Sequence, residues 1–247
     1  MNRQRDLGGA APQAAPLPRS RLLWLPLLLA LLGCAGRSHH PHGATHGHGA
    51  HDATVRHSFE DVEHWKAVFD DPARDAWQQP RAVVDALGIM PGMCVADIGA
   101  GTGYFSRYLS TAVGENGSVL AAEPEPNLLG HLRQRAETEG SANLTPILAS
   151  FDNPRLPAGA VDLVLIVDTF HHIDDRLNYF RRLQRALKPG GRVAIVDFKK
   201  EEAPVGPPVE HKLAREQVVE ELQRAGYQLL GEPVLLPYQY VLIFAPR

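Results

Sequence analysis

The stretch Val95-Ala96-Asp97-Ile98-Gly99-Ala100-Gly101-Thr102-Gly103 decides the fold. A short apolar run ends in an acid, and three glycines then alternate with small residues. This pattern predicts a buried parallel strand that enters a tight turn. A helix is predicted to follow at once, because apolar residues at 105, 108 and 109 share one face. Glycine lets the backbone pass a ligand with no Cβ in the way, and the helix offers free N–H groups. The stretch therefore predicts a nucleotide-type pocket.

The residues around the glycines indicate which nucleotide fits. The dinucleotide fingerprint G-x-G-x-x-G, started at Gly99, needs a glycine where this chain has Tyr104. Started at Gly101, the fingerprint meets Ser106 in the third place. Asp97 at the end of the strand would repel a pyrophosphate. A cationic ligand fits this loop better.

Residues 97–103 resemble the first motif of the class I S-adenosylmethionine (SAM) dependent methyltransferases. Three further signals stand in the order of that family: Glu123 after a second strand, the stretch 168–172 after the most apolar strand, and Lys188-Pro189-Gly190-Gly191 before a fifth. The resemblance covers roughly residues 60–247 and is nearest to the ubiquinone-biosynthesis-like, type 11 group. It implies SAM as cofactor and an enzyme that transfers a methyl group (EC 2.1.1.-).

Predicted strands alternate with helices along the rest of the chain, which is typical of an α/β fold. Further strands are predicted at 118–123, 144–148, 161–167, 193–198, 227–230 and 238–244. Pattern and resemblance together predict a Rossmann-like, doubly wound, seven-stranded and mostly parallel sheet with a terminal antiparallel β-pair and an N-terminal helical lid. Pro146 indicates a sheet edge, and the apolar run 161–167 indicates the centre. The helical segment 58–90 either covers a sheet edge or forms the lid over the cofactor.

The resemblance implies cofactor contacts near the carboxyl ends of the strands, where open α/β sheets bind their ligands. Asp97 orients the amino-acid end of the cofactor, and Glu123 accepts both ribose hydroxyls. Asp152 matches the usual adenine contact loosely. The full set is Asp97, Gly99, Gly101, Gly103, Glu123, Asp152 and Asp168. No site for a metal is assigned.

The chemistry of a sulfonium sets what catalysis requires. Its methyl carbon is already electrophilic, so the protein chiefly aligns an acceptor with the C–S bond. A base is needed only if the acceptor carries a proton when it attacks. Asp168, His171 and His172 are the candidate catalytic residues, with the aromatic side chains of Trp77 and Tyr104 around them. Alternatively, the two histidines are a structural pair, one capping the next helix and one packed on the loop.

The composition of the chain narrows the class of protein, but the sequence does not identify the methyl acceptor, so several functions stay open. The chain of 247 residues is 44% hydrophobic with a formal net charge of −3, which suits one globular domain and gives no reason to expect nucleic acid as partner. The first hypothesis is transfer to a small molecule on O, N or C. The alternatives are a protein or lipid methyltransferase at a membrane surface, and a metal-handling lipoprotein with an inactive methyltransferase fold. Cys94 is expected to be a buried small hydrophobe.

Residues 1–34 predict a lipoprotein signal peptide. Arginines precede the apolar run 22–32, which is too short for a comfortable membrane span. The run ends in Leu31-Leu32-Gly33-Cys34, which resembles the lipobox of bacterial lipoproteins and implies a lipidated Cys34 anchored in the cell envelope. The alternatives are an uncleaved anchor, or an internal start that leaves a cytoplasmic enzyme, because SAM is made inside the cell.

Residues 35–57 are predicted to be a disordered tether between this signal and a methyltransferase domain at 58–247. Gly, Ala and Pro fill the gaps between histidines, so nothing in the segment can pack a core. The segment is either a loose binder of Zn²⁺, Ni²⁺ or Cu²⁺, or a flexible linker of biased composition. Seven of the twelve histidines of the chain lie in it: His39, His40, His42, His46, His48, His51 and His57.

Overall fold

The computed structural model describes residues 61–247. The predictions made for the signal peptide, for Cys34 and for the His-rich tether lie outside the described residues. The strands of the described part are β1 (Cys94–Ile98), β2 (Ser118–Glu123), β3 (Leu144–Leu148), β4 (Val161–Val167), β5 (Leu187–Phe198), β6 (Tyr227–Gly231) and β7 (Gln239–Pro246). Its α-helices are α1 (Val62–Phe69), α2 (Arg74–Gln78), α3 (Pro80–Ala86), α4 (Tyr104–Val113), α5 (Pro126–Thr138), α6 (Arg176–Leu183) and α7 (Arg215–Arg224).

The strands form one seven-stranded sheet in the order β3-β2-β1-β4-β5-β7-β6. The pairs β3–β2, β2–β1, β1–β4 and β4–β5 are parallel, whereas β7 runs antiparallel to both β5 and β6. The predicted fold class is therefore confirmed, with β3 at the edge and β4 at the centre. The chain order reverses between β1 and β4, and a crevice at their carboxyl ends is where such sheets bind ligands.

The central strand shows why the sheet is covered on both faces. In β4 every residue except Asp162 is buried, as expected of a parallel strand between two helical layers. Val164 and Ile166 point into the core that contains Phe180 of α6 and Leu222 of α7. Leu163 and Leu165 point into the opposite core, with Val83 of α3 and Leu109 of α4. The alternation divides the apolar side chains of the strand between the two cores.

The segment before β1 covers a face of the sheet rather than an edge, and it also reaches over the glycine turn. Helix α3 covers the sheet, because its Val83 and Val84 are buried in the core beside α4. Helix α1 has no buried residue, and polar contacts at its carboxyl end fasten it over the glycine turn. Asp70 Oδ1 accepts hydrogen bonds from Thr102 Oγ1 at 3.0 Å and from Arg135 Nη1 at 2.8 Å. Helices α1 and α2 together are called the lid below.

Two details differ from the sequence predictions. Strand β5 begins at Leu187 instead of at 193, because Leu187 pairs with Val161 and a register shift follows before the ladder resumes. Cys94 is partly exposed rather than fully buried, and its backbone N–H donates to Asp162 Oδ2 at 2.8 Å. No helix between residues 61 and 247 is long and apolar enough to cross a bilayer.

Candidate active site

A cavity of about 680 Å³ lies at the carboxyl ends of β1, β2 and β4. The glycine loop 99–102 and the acids that end these strands form one side of it. The lid contributes Trp65, Phe69 and Trp77, and the segment after β5 contributes Val205 and Pro207. The predicted strand-end residues and the predicted lid therefore enclose the same space.

The three glycines of the loop have different structural roles. All have positive φ, a region that favours glycine. A Cβ on Gly99 would lie 2.3 Å from Thr169 Oγ1, so this glycine lets β1 approach the loop after β4. Gly101 lies under the ring of Phe69 and lines the cavity. Gly103 is not among the lining residues, and a Cβ there would lie 2.5 Å from Leu132 of α5.

Glu123 ends β2 with its carboxylate fixed by backbone. Its Oε2 accepts the N–H of Gly101 at 2.8 Å, and its Oε1 accepts the N–H of Glu125 at 2.9 Å. Burial raises the pKa of Glu123 to about 7, although both backbone N–H groups act against the shift. Each carboxylate oxygen can accept a second hydrogen bond, so two free acceptor positions remain for a pair of hydroxyl donors.

Asp97 is the next-to-last residue of β1 and is 3% exposed. Its Oδ2 accepts a hydrogen bond from Ser106 Oγ of α4 at 2.6 Å. Burial raises the pKa of Asp97 to about 6, and the Ser106 hydrogen bond and the charge of Arg74 act against that shift. The carboxylate is thus an acceptor held rigidly at the cavity wall.

Asp168 directly follows β4 and joins three elements. Its Oδ2 accepts from Gln78 Nε2 of α2 at 2.9 Å and lies 3.5 Å from Arg74 Nη2. Its Oδ1 accepts from Gln239 Nε2 of β7 at 2.5 Å. Burial raises the pKa of Asp168, while the guanidinium of Arg74 acts in the opposite direction. Asp168 therefore ties the lid to the sheet, and its backbone φ is +50°, in the left-handed region.

Arg74 is a cationic residue of the site, and the sequence analysis did not predict it. Its Nη1 donates to the carbonyl of Phe69 at 2.8 Å, its Nε donates to Gln78, and its guanidinium lies 4.2 Å from the centre of the Tyr104 ring. Burial lowers the pKa of Arg74, against the attraction of Asp168. The only feature of the sequence that hinted at this role is the run of aromatic and charged residues at 69–80. The partner of these residues, Asp168, lies about ninety positions further along the chain.

His171 and His172 follow Asp168 in a short 3₁₀ turn, Phe170–His172. His171 Nδ1 lies 3.0 Å from Oδ2 of Asp197, a buried residue of β5, and the His172 ring centre lies 4.1 Å from that of His171. Burial alone would lower the pKa of His171, but Asp197 outweighs it and the pKa is raised. Asp197 was not predicted. The feature that could have pointed to Asp197 is that it is a single carboxylate within an otherwise apolar strand.

The cavity brings together most of the predicted site residues. Asp97, Gly99, Gly101, Glu123, Asp168, His171, His172, Trp77 and Tyr104 all line it. Asp152 does not line it: this exposed carboxylate accepts from Ser150 Oγ at 2.8 Å, and Phe151 lines the cavity instead. The acid that the family resemblance offered as a loose adenine contact is turned outward here, in a tight 150–153 turn that follows β3.

The charged side chains that line the cavity complement the charges of SAM. Three carboxylates, Asp97, Glu123 and Asp168, come from adjacent strand ends, and Arg74 is the arginine that faces them. Such a wall favours a ligand with a sulfonium and an ammonium group over a pyrophosphate. The Glu123 carboxylate keeps acceptor positions for ribose hydroxyls. Fold and site together define the class of Rossmann-like methyltransferases.

Comparison with known proteins agrees with that class. Residues 95–191 match a family model described as "Methyltransferase domain". The crystal structure of a SAM dependent methyltransferase from Aquifex aeolicus superposes with a TM-score of 0.71 at 30% sequence identity, over 74% of this chain and 97% of that one. A methyltransferase from Mesorhizobium loti shares the fold, with a TM-score of 0.56 at 16% identity over 72% of this chain and 100% of that one.

The chain belongs to the SAM-dependent methyltransferases. Among curated proteins it is similar to a ubiquinone/menaquinone biosynthesis C-methyltransferase, UbiE, of Vibrio vulnificus (strain YJ016). The two are 31% identical over 121 residues, which is 49% of this chain and 46% of the relative. The chain thus spans about half the length of the curated relatives that it matches. SAM is the methyl donor that membership of this family implies.

Proposed function

We propose that this protein transfers the methyl group of SAM to a small-molecule acceptor held between the lid and the segment after β5. The observation that carries the proposal is the convergence of three strand-end acids, Asp97, Glu123 and Asp168, on one cavity of about 680 Å³. Bound SAM supplies an electrophilic methyl group. The residues of the chain bind the cofactor, exclude water and orient the acceptor.

The cofactor side of the cavity is polar and rigid. Glu123 is positioned to hold the ribose, because its two oxygens are already oriented by the N–H groups of Gly101 and Glu125. Asp97 is positioned to bind the ammonium group of the amino-acid end, with Ser106 fixing its carboxylate. Preorganised acceptors of this kind lose little freedom when the ligand binds.

The acceptor side of the cavity is apolar and aromatic. Trp77 of the lid lies 5.6 Å from Phe198 of β5, centre to centre, and Val205 and Pro207 extend the same wall. The lid further contributes Trp65. These walls suit a flat, apolar acceptor. The printed name of the UbiE relatives, a ubiquinone/menaquinone C-methyltransferase, supports an acceptor of that kind.

The membrane is the second element of the proposal. Leu31-Leu32-Gly33-Cys34 supports lipidation of Cys34 and anchoring in the cell envelope, with 35–57 as tether. An anchored enzyme could reach acceptors in a membrane, including lipid or membrane protein. Fatty-acid labelling that disappears in Cys34→Ser supports the anchor. Labelling that survives this substitution, or wild-type protein found wholly in the cytosol, refutes it.

Calorimetry with SAM tests the cofactor assignment directly. Glu123→Ala removes two charged hydrogen-bond acceptors and is expected to weaken binding by about 1.5–3 kcal/mol. Glu220→Ala, an exposed residue of α7 outside the cavity lining, is the matched control and should bind as the wild type does. Equal affinity in Glu123→Ala and wild type would refute the ribose assignment.

A further inference from the structure

Asp197 and His171 form a buried pair at the cavity wall. His171 Nδ1 lies 3.0 Å from Asp197 Oδ2 and 3.2 Å from Oδ1, and the two residues are 6% and 1% exposed. An ionised carboxylate only accepts hydrogen bonds, so this contact places the imidazole proton on Nδ1. The other ring nitrogen, Nε2, then carries a lone pair, and His171 lines the cavity. The pair has the arrangement of a base and the group that orients it.

The neighbouring carboxylate is less suited to take a proton. Burial raises the pKa of Asp168 to about 6, but its oxygens already accept from Gln78 and Gln239 and face the guanidinium of Arg74. These three contacts favour its charged form and occupy the carboxylate. In contrast, the carboxylate of Asp197 contacts Nδ1 of His171, and this contact favours the protonated form of the imidazole. Asp197 is itself fixed, because its Oδ1 accepts the backbone N–H of Phe198 at 2.8 Å.

Building on the methyl transfer proposed above, we infer that His171 is the general base for an acceptor of the phenol class and that Asp197 is its positioning residue. Nε2 of His171 takes the proton of the hydroxyl group. An electron pair of the hydroxyl oxygen forms the bond to the methyl carbon, and the pair of the breaking C–S bond stays on sulfur. The proton then passes from His171 to solvent.

The strength of the base selects the acceptor. An aromatic hydroxyl ionises at a pKa of about 10, within reach of a histidine base, whereas a hydroxyl as weakly acidic as that of water ionises at about 16. Burial and Arg176 of α6 lower the pKa of His171, but Asp197 of β5 and Asp168, directly after β4, outweigh them and raise it. The other titratable ring facing His171 is that of His172, 4.1 Å away between centres. A phenol also matches the aromatic wall formed by Trp77 and Phe198.

The experiment compares two probes on the full chain with methyl-labelled SAM: 1-naphthol, and a nitro-1-naphthol that is already ionised at the assay pH. His171→Gln should lower kcat for 1-naphthol by about 100-fold or more, with the KM for SAM changed less than twofold. Asp197→Asn should lower kcat and move the acid limb of the pH profile to lower pH, and Asp197→Glu should recover part of both. Losses on the ionised probe should be small, because that probe needs no base.

Matched controls are Asp162→Asn, a carboxylate on β4 that accepts from Lys188, and His131→Gln on α5, neither of which lines the cavity. Equal losses on both naphthols would give His171 and Asp197 a structural role and overturn the assignment. SAM binding without methylation of 1-naphthol, including transfer to 1-naphthylamine instead, overturns the phenol class and leaves methyl transfer standing. Failure of SAM to bind would refute the proposed function itself.

Discussion

Arg74 Nη2 lies 3.5 Å from Asp168 Oδ2, so one ion pair joins the lid to the end of the central strand. Both side chains are largely buried, which strengthens the pair relative to one in bulk water. Gln78 of the same helix donates to the same oxygen of Asp168. The closed position of the lid therefore depends on Asp168, which lines the cavity. As a result, the binding of a ligand near Asp168 is linked to the order of α1 and α2.

Arg74→Ala should loosen the lid without unfolding the sheet. The substitution leaves the carbonyl of Phe69 and the carboxylate of Asp168 with fewer donors, a cost of about 1–3 kcal/mol. Amide hydrogen exchange should accelerate in residues 62–78 and stay unchanged in β4. Arg81→Ala, an exposed residue of α3, is the control. Unchanged exchange in 62–78 would show that the remaining lid contacts, including those of Asp70 and Gln78, hold the lid without Arg74.

Gly99→Ala and Gly130→Ala should have opposite effects on stability. At Gly99 the backbone φ is +72° and a Cβ would lie 2.3 Å from Thr169 Oγ1, so alanine is expected to cost more than about 1 kcal/mol. Gly130 lies within α5, and a Cβ there meets nothing within 4 Å. Alanine at 130 should stabilise the fold by about 0.5–1 kcal/mol. Urea unfolding of both variants checks the prediction, which fails if the two shift alike.

The sequence predicts the sheet well because local signals specify it. The apolar run of β4 and the acid that ends β2 are each visible within a few residues. Arg74 and Asp197 escaped prediction because their roles depend on partners far away in the chain: Asp168 for the former and His171 for the latter. Asp152, taken from the family resemblance, lies outside the cavity lining because the local 150–153 turn directs its side chain to the surface.

Asp97→Asn should make stability less dependent on pH. In the folded chain the pKa of Asp97 is about 6, above the value of about 3.9 expected in the unfolded chain. The folded state therefore binds more protons between these values, and the contribution of Asp97 to stability falls as pH rises from about 4 to 6. The free energy of unfolding at pH 8 minus that at pH 4 should be about 1–3 kcal/mol larger in Asp97→Asn than in the wild type, because the variant carries no charge at this position. Asp85→Asn, on the exposed face of α3, is the control. An identical pH profile in Asp97→Asn and wild type would contradict the burial of a charge at position 97.

Glu123 should release a proton when SAM binds. Its pKa is about 7 in the ligand-free chain because the carboxylate is buried. Hydrogen bonds donated by ribose hydroxyls favour the charged form, so binding should lower this pKa and release protons near pH 6.5. Affinity should accordingly tighten as pH rises through 7. Calorimetry in buffers with different ionisation enthalpies measures the number of protons released.

Glu123→Gln separates this ionisation from the shape of the side chain. Glutamine has one carbonyl oxygen, so either the N–H of Gly101 or that of Glu125 loses its acceptor. The variant should bind SAM more weakly at pH 8, and the pH dependence of binding near 7 should disappear with the titrating group. Proton uptake by the wild type, or the same proton release in Glu123→Gln, would assign the ionisation to another group, with Asp97 the next to test because its pKa lies about one unit lower.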